Sequence, residues 1–229
     1  MIGSSARQAG AVIVAAGLGR RFGGNVPKQF LELGGEPILL RAIRAFAEHA
    51  AIAELVVVLP PFYAAAPPEW LRARPVKVVP GGAERGASVW NGLAALDPNL
   101  DTVLVHDGAR PFVTSDIITR VIQATPGGGA IAAVPVGDTL KRVQADGLIT
   151  ETVERATLWQ AQTPQGFPRP LLVRAYQRAR AEGRGGTDEA ELVERLGVRV
   201  RVVLGSPTNV KITRPEDLPL AEALAGSAR

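Results

Sequence analysis

The chain has 229 residues, enough for one large α/β domain with a small appendage. It contains no cysteine and two histidines, which excludes disulfides, thiolate chemistry and multi-histidine zinc sites. The formal net charge is +4, with 26 basic residues dispersed among 22 acidic ones. No basic stripe forms, so no nucleic-acid partner is expected; a local cationic pocket for a small anion fits better.

Residues 1–10 are largely polar. The apolar run at 11–16 is too short to cross a bilayer and lacks the basic-then-apolar layout of a secretory signal. The expectation is a cytoplasmic chain with no membrane partner. Further strand-like runs lie at 54–59, 76–79, 102–106, 130–135 and 198–204. Most are continuously apolar rather than alternating, as in strands covered on both faces of a largely parallel sheet. Helical patterns fall between and after them, at 37–47, 88–96, 115–124, 170–181 and 188–196. This alternation predicts an open α/β sandwich, read as one domain over residues 1–229.

Residues 138–167 break the rhythm. Asp146-Gly147 is a tight-turn dipeptide, and 139–143 and 148–153 suit the two sides of a hairpin. A lone hairpin is marginal in water, so this stretch is read as an arm that packs on a second subunit. Near the C-terminus, Thr213, Pro215 and Glu216 form a Thr-x-x-Glu capping box for a last helix, which Pro219 is expected to limit or bend.

Four loop sequences carry chemistry. The first strand runs into Ala15-Ala16-Gly17-Leu18-Gly19-Arg20-Arg21-Phe22-Gly23. A dinucleotide fingerprint lacks its third glycine here, where Phe22 stands, and no Gly-Lys-Ser/Thr phosphate loop is present. Four cations, among them Arg20, Arg21 and Lys28, precede the first carboxylate, Glu32. Glycines let backbone N–H groups approach phosphate oxygens, and arginine and lysine add charge. Spacing alone leaves this phosphate-binding loop beside an ordinary βα turn with solvent-facing cations.

Gly81-Gly82-Ala83-Glu84-Arg85-Gly86-Ala87-Ser88 reads either as a helix start, with Ser88 in its first turn, or as a loop that reads a base. Asp107 ends a strand, where open α/β sheets gather ligands. It suits Mg²⁺ or a ribose hydroxyl, or it forms a structural pair with Arg110. Lys211 is either a surface lysine or a further cation directed at phosphates.

Taken in order, these segments resemble the 2-C-methyl-D-erythritol 4-phosphate cytidylyltransferase family. The matching motifs are Ala15-Ala16-Gly17-x-Gly19-x-Arg21, Pro27-Lys28-Gln29, Gly81-Gly82-x-x-Arg85-x-x-Ser88-Val89, His106-Asp107-x-Ala109-Arg110-Pro111, Asp138-Thr139-x-Lys141, Val153-x-Arg155, Thr163-Pro164-Gln165, Thr187-Asp188-Glu189-Ala190 and Asn209-x-Lys211-x-Thr213-x-Pro215-x-Asp217. Ala83 departs from the acidic residue common in the family, which leaves more of base recognition to the backbone. Gly108 stands where alanine is common.

The resemblance implies a nucleotide-diphosphosugar-transferase-like α/β/α sandwich with a mixed, mostly parallel sheet. It also implies a dimerisation arm at residues 138–167 that completes the partner's site in a homodimer. The implied reaction joins CTP to 2-C-methyl-D-erythritol 4-phosphate with Mg²⁺ or another divalent cation and releases pyrophosphate. Ribitol 5-phosphate is the alternative acceptor, and a non-catalytic nucleotide-binding protein is the alternative outside catalysis. By resemblance Arg21, Lys28 and Lys211 are catalytic. Ala15, Ala16, Gly17, Gly19, Gly82, Ala83, Ser88 and Asp107 hold the nucleotide. Asp107, Arg110, Thr139, Arg155, Thr163 and Thr187 hold the acceptor, and Asp107 meets the metal.

Overall fold

Val12 and Ile13 are neighbours on one strand, both inaccessible to solvent, and belong to separate core clusters. The sheet is therefore covered on both faces, which explains the unbroken apolar runs of the sequence. The computed structural model describes residues 8–17, 22 and 26–227. Its strands are β1 (Ala9–Val14), β2 (Glu32–Leu33), β3 (Glu36–Pro37), β4 (Ile52–Leu59), β5 (Lys77–Pro80), β6 (Thr102–Asp107), β7 (Ala130–Pro135), β8 (Leu140–Val143), β9 (Ile149–Val153), β10 (Trp159–Pro168) and β11 (Arg201–Leu204). Its α-helices are α1 (Ile38–Ala47), α2 (Pro61–Ala65), α3 (Glu69–Arg72), α4 (Arg85–Ala95), α5 (Ser115–Ala124), α6 (Arg169–Ala181), α7 (Glu189–Glu194) and α8 (Leu218–Ser227).

Seven strands form the central sheet in the order β11-β7-β10-β6-β1-β4-β5. All neighbours are parallel except β10, which runs antiparallel to both β6 and β7. On one face Val12, Val56, Val58, Val103 and Val105 pack with Leu93 of α4, Leu172 of α6 and Leu192 of α7. On the other, Ile13, Val57, Leu59 and Leu104 meet Leu39, Ile43 and Phe46 of α1 and Ile117, Ile118 and Val121 of α5. Burial of each such side chain contributes roughly 1.5–3 kcal/mol before entropy is counted. Helix α4 crosses β1 and β4 closely because Gly92 faces them: a Cβ there would collide with Val12 and Val58.

The chain moves outward from β1 through β4 to β5, then returns to the other side of β1 as β6. The carboxyl ends of β1 and β6 thus lie at a topological switch point, with Val14 paired to Asp107. A third, smaller cluster of Leu33, Ile38, Ile212, Ala221 and Ala225 ties α8 to the β2–β3 ribbon and fixes the segment next to Lys211.

Several expectations are corrected. The arm is shorter than 138–167, because β10 returns to the central sheet and Gln162–Phe167 are buried in it. The missed strand is rich in Gln, Pro and Gly, and its low β-propensity hides it. What protrudes is the β8–β9 ribbon, a separate two-stranded sheet. The helix expected at 88–96 starts at Arg85, and the strand expected at 198–204 starts at Arg201. At the C-terminus Asp217, not Glu216, accepts from the Thr213 N–H and hydroxyl at 2.6 and 2.8 Å and from the Arg214 N–H at 2.9 Å. A 3-10 turn over Pro215–Asp217 then leads into α8. Pro219 stands in the first turn of α8, where a missing N–H costs no helix bond.

Candidate active site

A cleft of about 320 Å³ opens at the switch point. Val14, Ala15, Ala16 and Gly17 line it from the end of β1, and Asp107 from the end of β6. Gly82, Ala83 and Ser88 line it from the entry to α4, Lys28 from the turn before β2, and Lys211 and Thr213 from the chain before α8. Segments far apart in sequence thus converge on one cleft. Arg21 and Gly19 lie outside the described residues.

Buried Gln29 shapes the first loop. Its amide Nε2 donates to the carbonyls of Ala15 and Gly17, the latter at 3.0 Å. Next to it, Lys28 Nζ donates to the Ile212 carbonyl at 2.6 Å, which ties this turn to the Lys211 segment.

Ser88 shapes the second loop. Its hydroxyl accepts from the Gly82 N–H at 3.1 Å and donates to the Glu84 carbonyl at 3.0 Å. Ser88 sits in the first turn of α4, spends its hydroxyl on the loop, and leaves Gly82 and Ala83 exposed in the cleft.

Asp107 is the focus of charge. Its Oδ1 lies 3.3 Å from Arg85 Nη2 and its Oδ2 lies 2.7 Å from Lys211 Nζ. Burial alone would raise its pKa. Arg85, Lys211 and Arg110 overcome that and hold the carboxyl well below the usual carboxylate range. The alternative reading, a structural pair of Asp107 with Arg110, is not seen; Arg110 Nη1 donates instead to the Asn209 carbonyl at 2.7 Å. Burial lowers the Arg110 pKa, opposed by the charge of Asp107.

Behind Asp107 the polar groups form a chain. The Asp107 N–H donates to Thr163 Oγ1 at 3.0 Å, and Thr163 Oγ1 lies 3.0 Å from His106 Nδ1. His106 Nε2 lies 3.1 Å from the Arg110 carbonyl, which can only accept. This assigns the proton of a neutral His106 to Nε2 and the hydroxyl proton of Thr163 to His106 Nδ1. Burial pushes the His106 pKa down to about 4.

The expected acceptor residues divide. Arg110 does not line the cleft; with Lys211, Gly137, Gln162 and Asn209 it lines an adjoining cavity of about 680 Å³. Thr163 is buried and bonds behind Asp107 rather than facing the cleft. Thr187 is exposed, and its N–H and hydroxyl both donate to Glu191 across the start of α7. Thr139 and Arg155 stand exposed at the arm, where Arg155 donates to the Gly137 carbonyl. None of Thr163, Thr187, Thr139 and Arg155 lines the cleft of its own subunit.

Sequence reading placed Glu189 only within the Thr187-Asp188-Glu189-Ala190 motif, as part of a helix cap or of a segment supporting the site, and gave Tyr176 no role. Glu189 is fully buried and binds Arg85 through both carboxylate oxygens, at 2.7 and 3.0 Å, and Tyr176 Oη donates to it at 2.8 Å. Burial disfavours the charged guanidinium of Arg85, but Glu189 and Asp107 outweigh burial and raise its pKa. Arg85 was visible in its glycine-rich motif. Tyr176 reads only as an apolar helix position.

A family model described as IspD, 2-C-methyl-D-erythritol 4-phosphate cytidylyltransferase, matches residues 9–227. A protein of that name from Symbiobacterium thermophilum is 47% identical over 220 residues, spanning 93% of this chain and 91% of its own. Among solved structures, the cytidylyltransferase of the same name from Thermus thermophilus superposes with a TM-score of 0.83 at 40% identity, covering 96% of this chain and 99% of that one. A 4-diphosphocytidyl-2C-methyl-D-erythritol synthase from Anaerococcus prevotii superposes with a TM-score of 0.86 at 28% identity, covering 96% and 97%.

Proposed function

We propose, from the premise that this chain belongs to the 2-C-methyl-D-erythritol 4-phosphate cytidylyltransferase family, that the cleft between β1 and β6 is where its two phosphate substrates meet. The activity is transfer of the cytidylyl group from CTP to 2-C-methyl-D-erythritol 4-phosphate, releasing pyrophosphate. The observation that carries the assignment of the site is the convergence of Lys28 and Lys211 on one cleft around Asp107, at the sheet's switch point.

The chemistry explains why cations dominate. A phosphate monoester has its second pKa near 6, so it is already an anionic nucleophile near neutrality. Its oxygen forms a bond to the α-phosphorus of CTP while the bond from that phosphorus to pyrophosphate breaks, and no proton needs removal. The barrier lies in bringing two polyanions together. Lys28 and Lys211, with Arg21, offset that repulsion and stabilise charge as it moves to the leaving group. Gln29 and Ser88 hold the two loops whose backbone groups face the nucleotide.

Mg²⁺ fits the donors. The described residues hold no group of three or more His, Cys, Asp or Glu that could bind a metal alone. Mg²⁺ characteristically uses one or two carboxylates together with substrate phosphates, and Asp107 is a carboxylate in the cleft. Asp107 would hold it, and the ion would neutralise phosphate charge.

The acceptor site is completed in a homodimer by the partner's arm, with Thr139 and Arg155 reaching the phosphate beside Arg110 and Lys211. Exposed Val143, Leu148 and Ile149 on the ribbon support an arm that buries against a second copy. Among the described residues no helix is long and apolar enough to cross a membrane.

The test is pyrophosphate release with CTP, UTP, ATP and GTP, each offered 2-C-methyl-D-erythritol 4-phosphate or ribitol 5-phosphate. Release confined to CTP with methylerythritol phosphate is expected, with loss of turnover in Lys28→Ala and Lys211→Ala. Full turnover in both variants would place the reaction elsewhere.

A further inference from the structure

Five side chains from five segments form one continuous polar chain running out of the core into the cleft. Tyr176 of α6 donates to Glu189, the first residue of α7, at 2.8 Å. Glu189 takes both Nη atoms of Arg85, the first residue of α4, at 2.7 and 3.0 Å. Arg85 Nη2 reaches Asp107 at 3.3 Å, and Asp107 holds Lys211 at 2.7 Å. The inner end of this chain is buried, with Glu189 0% exposed and Tyr176 3%. The outer end is open, with the Lys211 side chain 38% exposed.

We propose that Glu189, braced by Tyr176, is a positioning residue for the cytidylyl transfer: it fixes the Arg85 guanidinium so that Asp107, and through it Lys211, is presented to the reacting phosphates. This inference rests on the assignment of Asp107 and Lys211 to the reaction.

The geometry gives the reason. A guanidinium is a planar fork, and a two-point grip by one carboxylate sets its plane. Glu189 holds that grip, and Arg85 Nη2 then has one remaining contact to give to Asp107 Oδ1. Asp107 Oδ2 is left for Lys211. The contact to Asp107 is the longest in the chain, so Arg85 steadies the carboxylate without enclosing it. With Glu189 neutral, the full charge of Arg85 would face Asp107 alone. The guanidinium would turn to grip both carboxylate oxygens, as Arg–carboxylate pairs favour, and draw Asp107 away from Lys211.

A structural role alone would be satisfied by any balanced pair, because the cost of losing one partner is an uncompensated buried charge. Positioning needs this pair. The experiment therefore measures kcat, both KM values and Tm of the full-length protein with CTP, Mg²⁺ and 2-C-methyl-D-erythritol 4-phosphate. The variants are Glu189→Gln, Glu189→Asp, Arg85→Lys and the double variant Arg85→Gln/Glu189→Gln.

Glu189→Gln is expected to lower kcat by roughly 10–100-fold, as loss of a supporting partner does at metal sites, with the KM for CTP nearly unchanged. Glu189→Asp, which keeps the charge, is expected to restore part of that loss. The double variant is expected to recover Tm but not kcat. Arg85→Lys keeps the charge without the fork and is expected to lose kcat as well, which provides a reading if the double variant does not fold. Wild-type kcat in Glu189→Gln, in the double variant or in Arg85→Lys overturns the proposal. Asp107→Ala and Lys211→Ala, measured alongside, separate this failure from failure of the site itself: full activity in those two would remove the premise, whereas their inactivity beside an active Glu189→Gln would refute the positioning role alone.

Discussion

Lys211 Nζ sits 2.7 Å from Asp107 Oδ2, joining the segment before α8 to the carboxyl end of β6. The pair brings a cation to the cleft without fixing the protein's fold on it, because Arg85 contacts the other oxygen of Asp107. Lys211→Ala is therefore expected to leave the fold intact and to lower kcat by roughly 10²–10³, the effect of losing one preorganised transition-state donor. Steady-state pyrophosphate release and a thermal melt check both parts. A kcat close to wild type removes Lys211 from the reaction.

Gln29 predicts a different kinetic signature. Its amide donates to the Ala15 and Gly17 carbonyls and so sets the start of the glycine-rich loop. Gln29→Ala leaves those carbonyls without that donor, and the expected stability loss is about 1–3 kcal/mol. Distortion of a loop that meets the nucleotide should appear mainly as a raised KM for CTP. Gln29→Glu should be worse, because its ionised carboxylate donates nothing and faces two carbonyl oxygens. Urea unfolding and CTP titration measure the two effects. An unchanged KM for CTP in both variants would remove the loop-setting role.

Much of the fold was legible because parallel strands buried on both faces leave continuous apolar runs, as Val56–Leu59 and Val103–Val105 do. β10 was not. It pairs antiparallel between β6 and β7 while carrying Gln165, Gly166 and Pro168, residues that a propensity reading gives to loops. Gly166 is there because the strand passes tightly beneath α5, where a Cβ would meet Val121 and Thr125 at 2.7 and 2.8 Å. The site divides in the same way. Asp107 announced itself as a carboxylate at a strand end and Lys28 as one of the cations that follow the glycine-rich loop, whereas Lys211 stood out only through the motif before the last helix. Glu189 looked like part of a helix cap, because its partner Arg85 is 104 residues away and only the fold brings them together.

The arm gives a prediction that needs two subunits. Thr139 and Arg155 are exposed and do not line the cleft of their own chain. If they serve the partner's acceptor phosphate, Arg155→Ala should raise the KM for methylerythritol phosphate by roughly tenfold or more, since a charge-assisted hydrogen bond contributes about 1.5–3 kcal/mol. The KM for CTP should hold. Lys28→Ala and Arg155→Ala chains, each impaired alone, should regain activity when mixed, because half of the sites in a mixed dimer carry neither defect. Mixed dimers confirmed by mass spectrometry that stay inactive would argue against a shared site.

His106 links the site to acid stability. It is fully buried, and burial moves its pKa from 6.5 to about 4, with the hydrogen bond to Arg110 and the charge of Asp107 opposing that shift. Above pH 6.5 the ring is neutral in both folded and unfolded chains, and the native contacts are kept in full. Between pH 6.5 and about 4 the unfolded chain takes up a proton that the folded chain refuses, so stability falls as pH falls. Below about 4 the folded ring also protonates, and this group adds no further loss. The whole change amounts to about 3 kcal/mol. His106→Gln removes the titration, so the stability gap between wild type and variant should narrow by about that amount from pH 7 to pH 4 in urea unfolding. A gap independent of pH would mean that the ring is not held neutral between Thr163 and the Arg110 carbonyl.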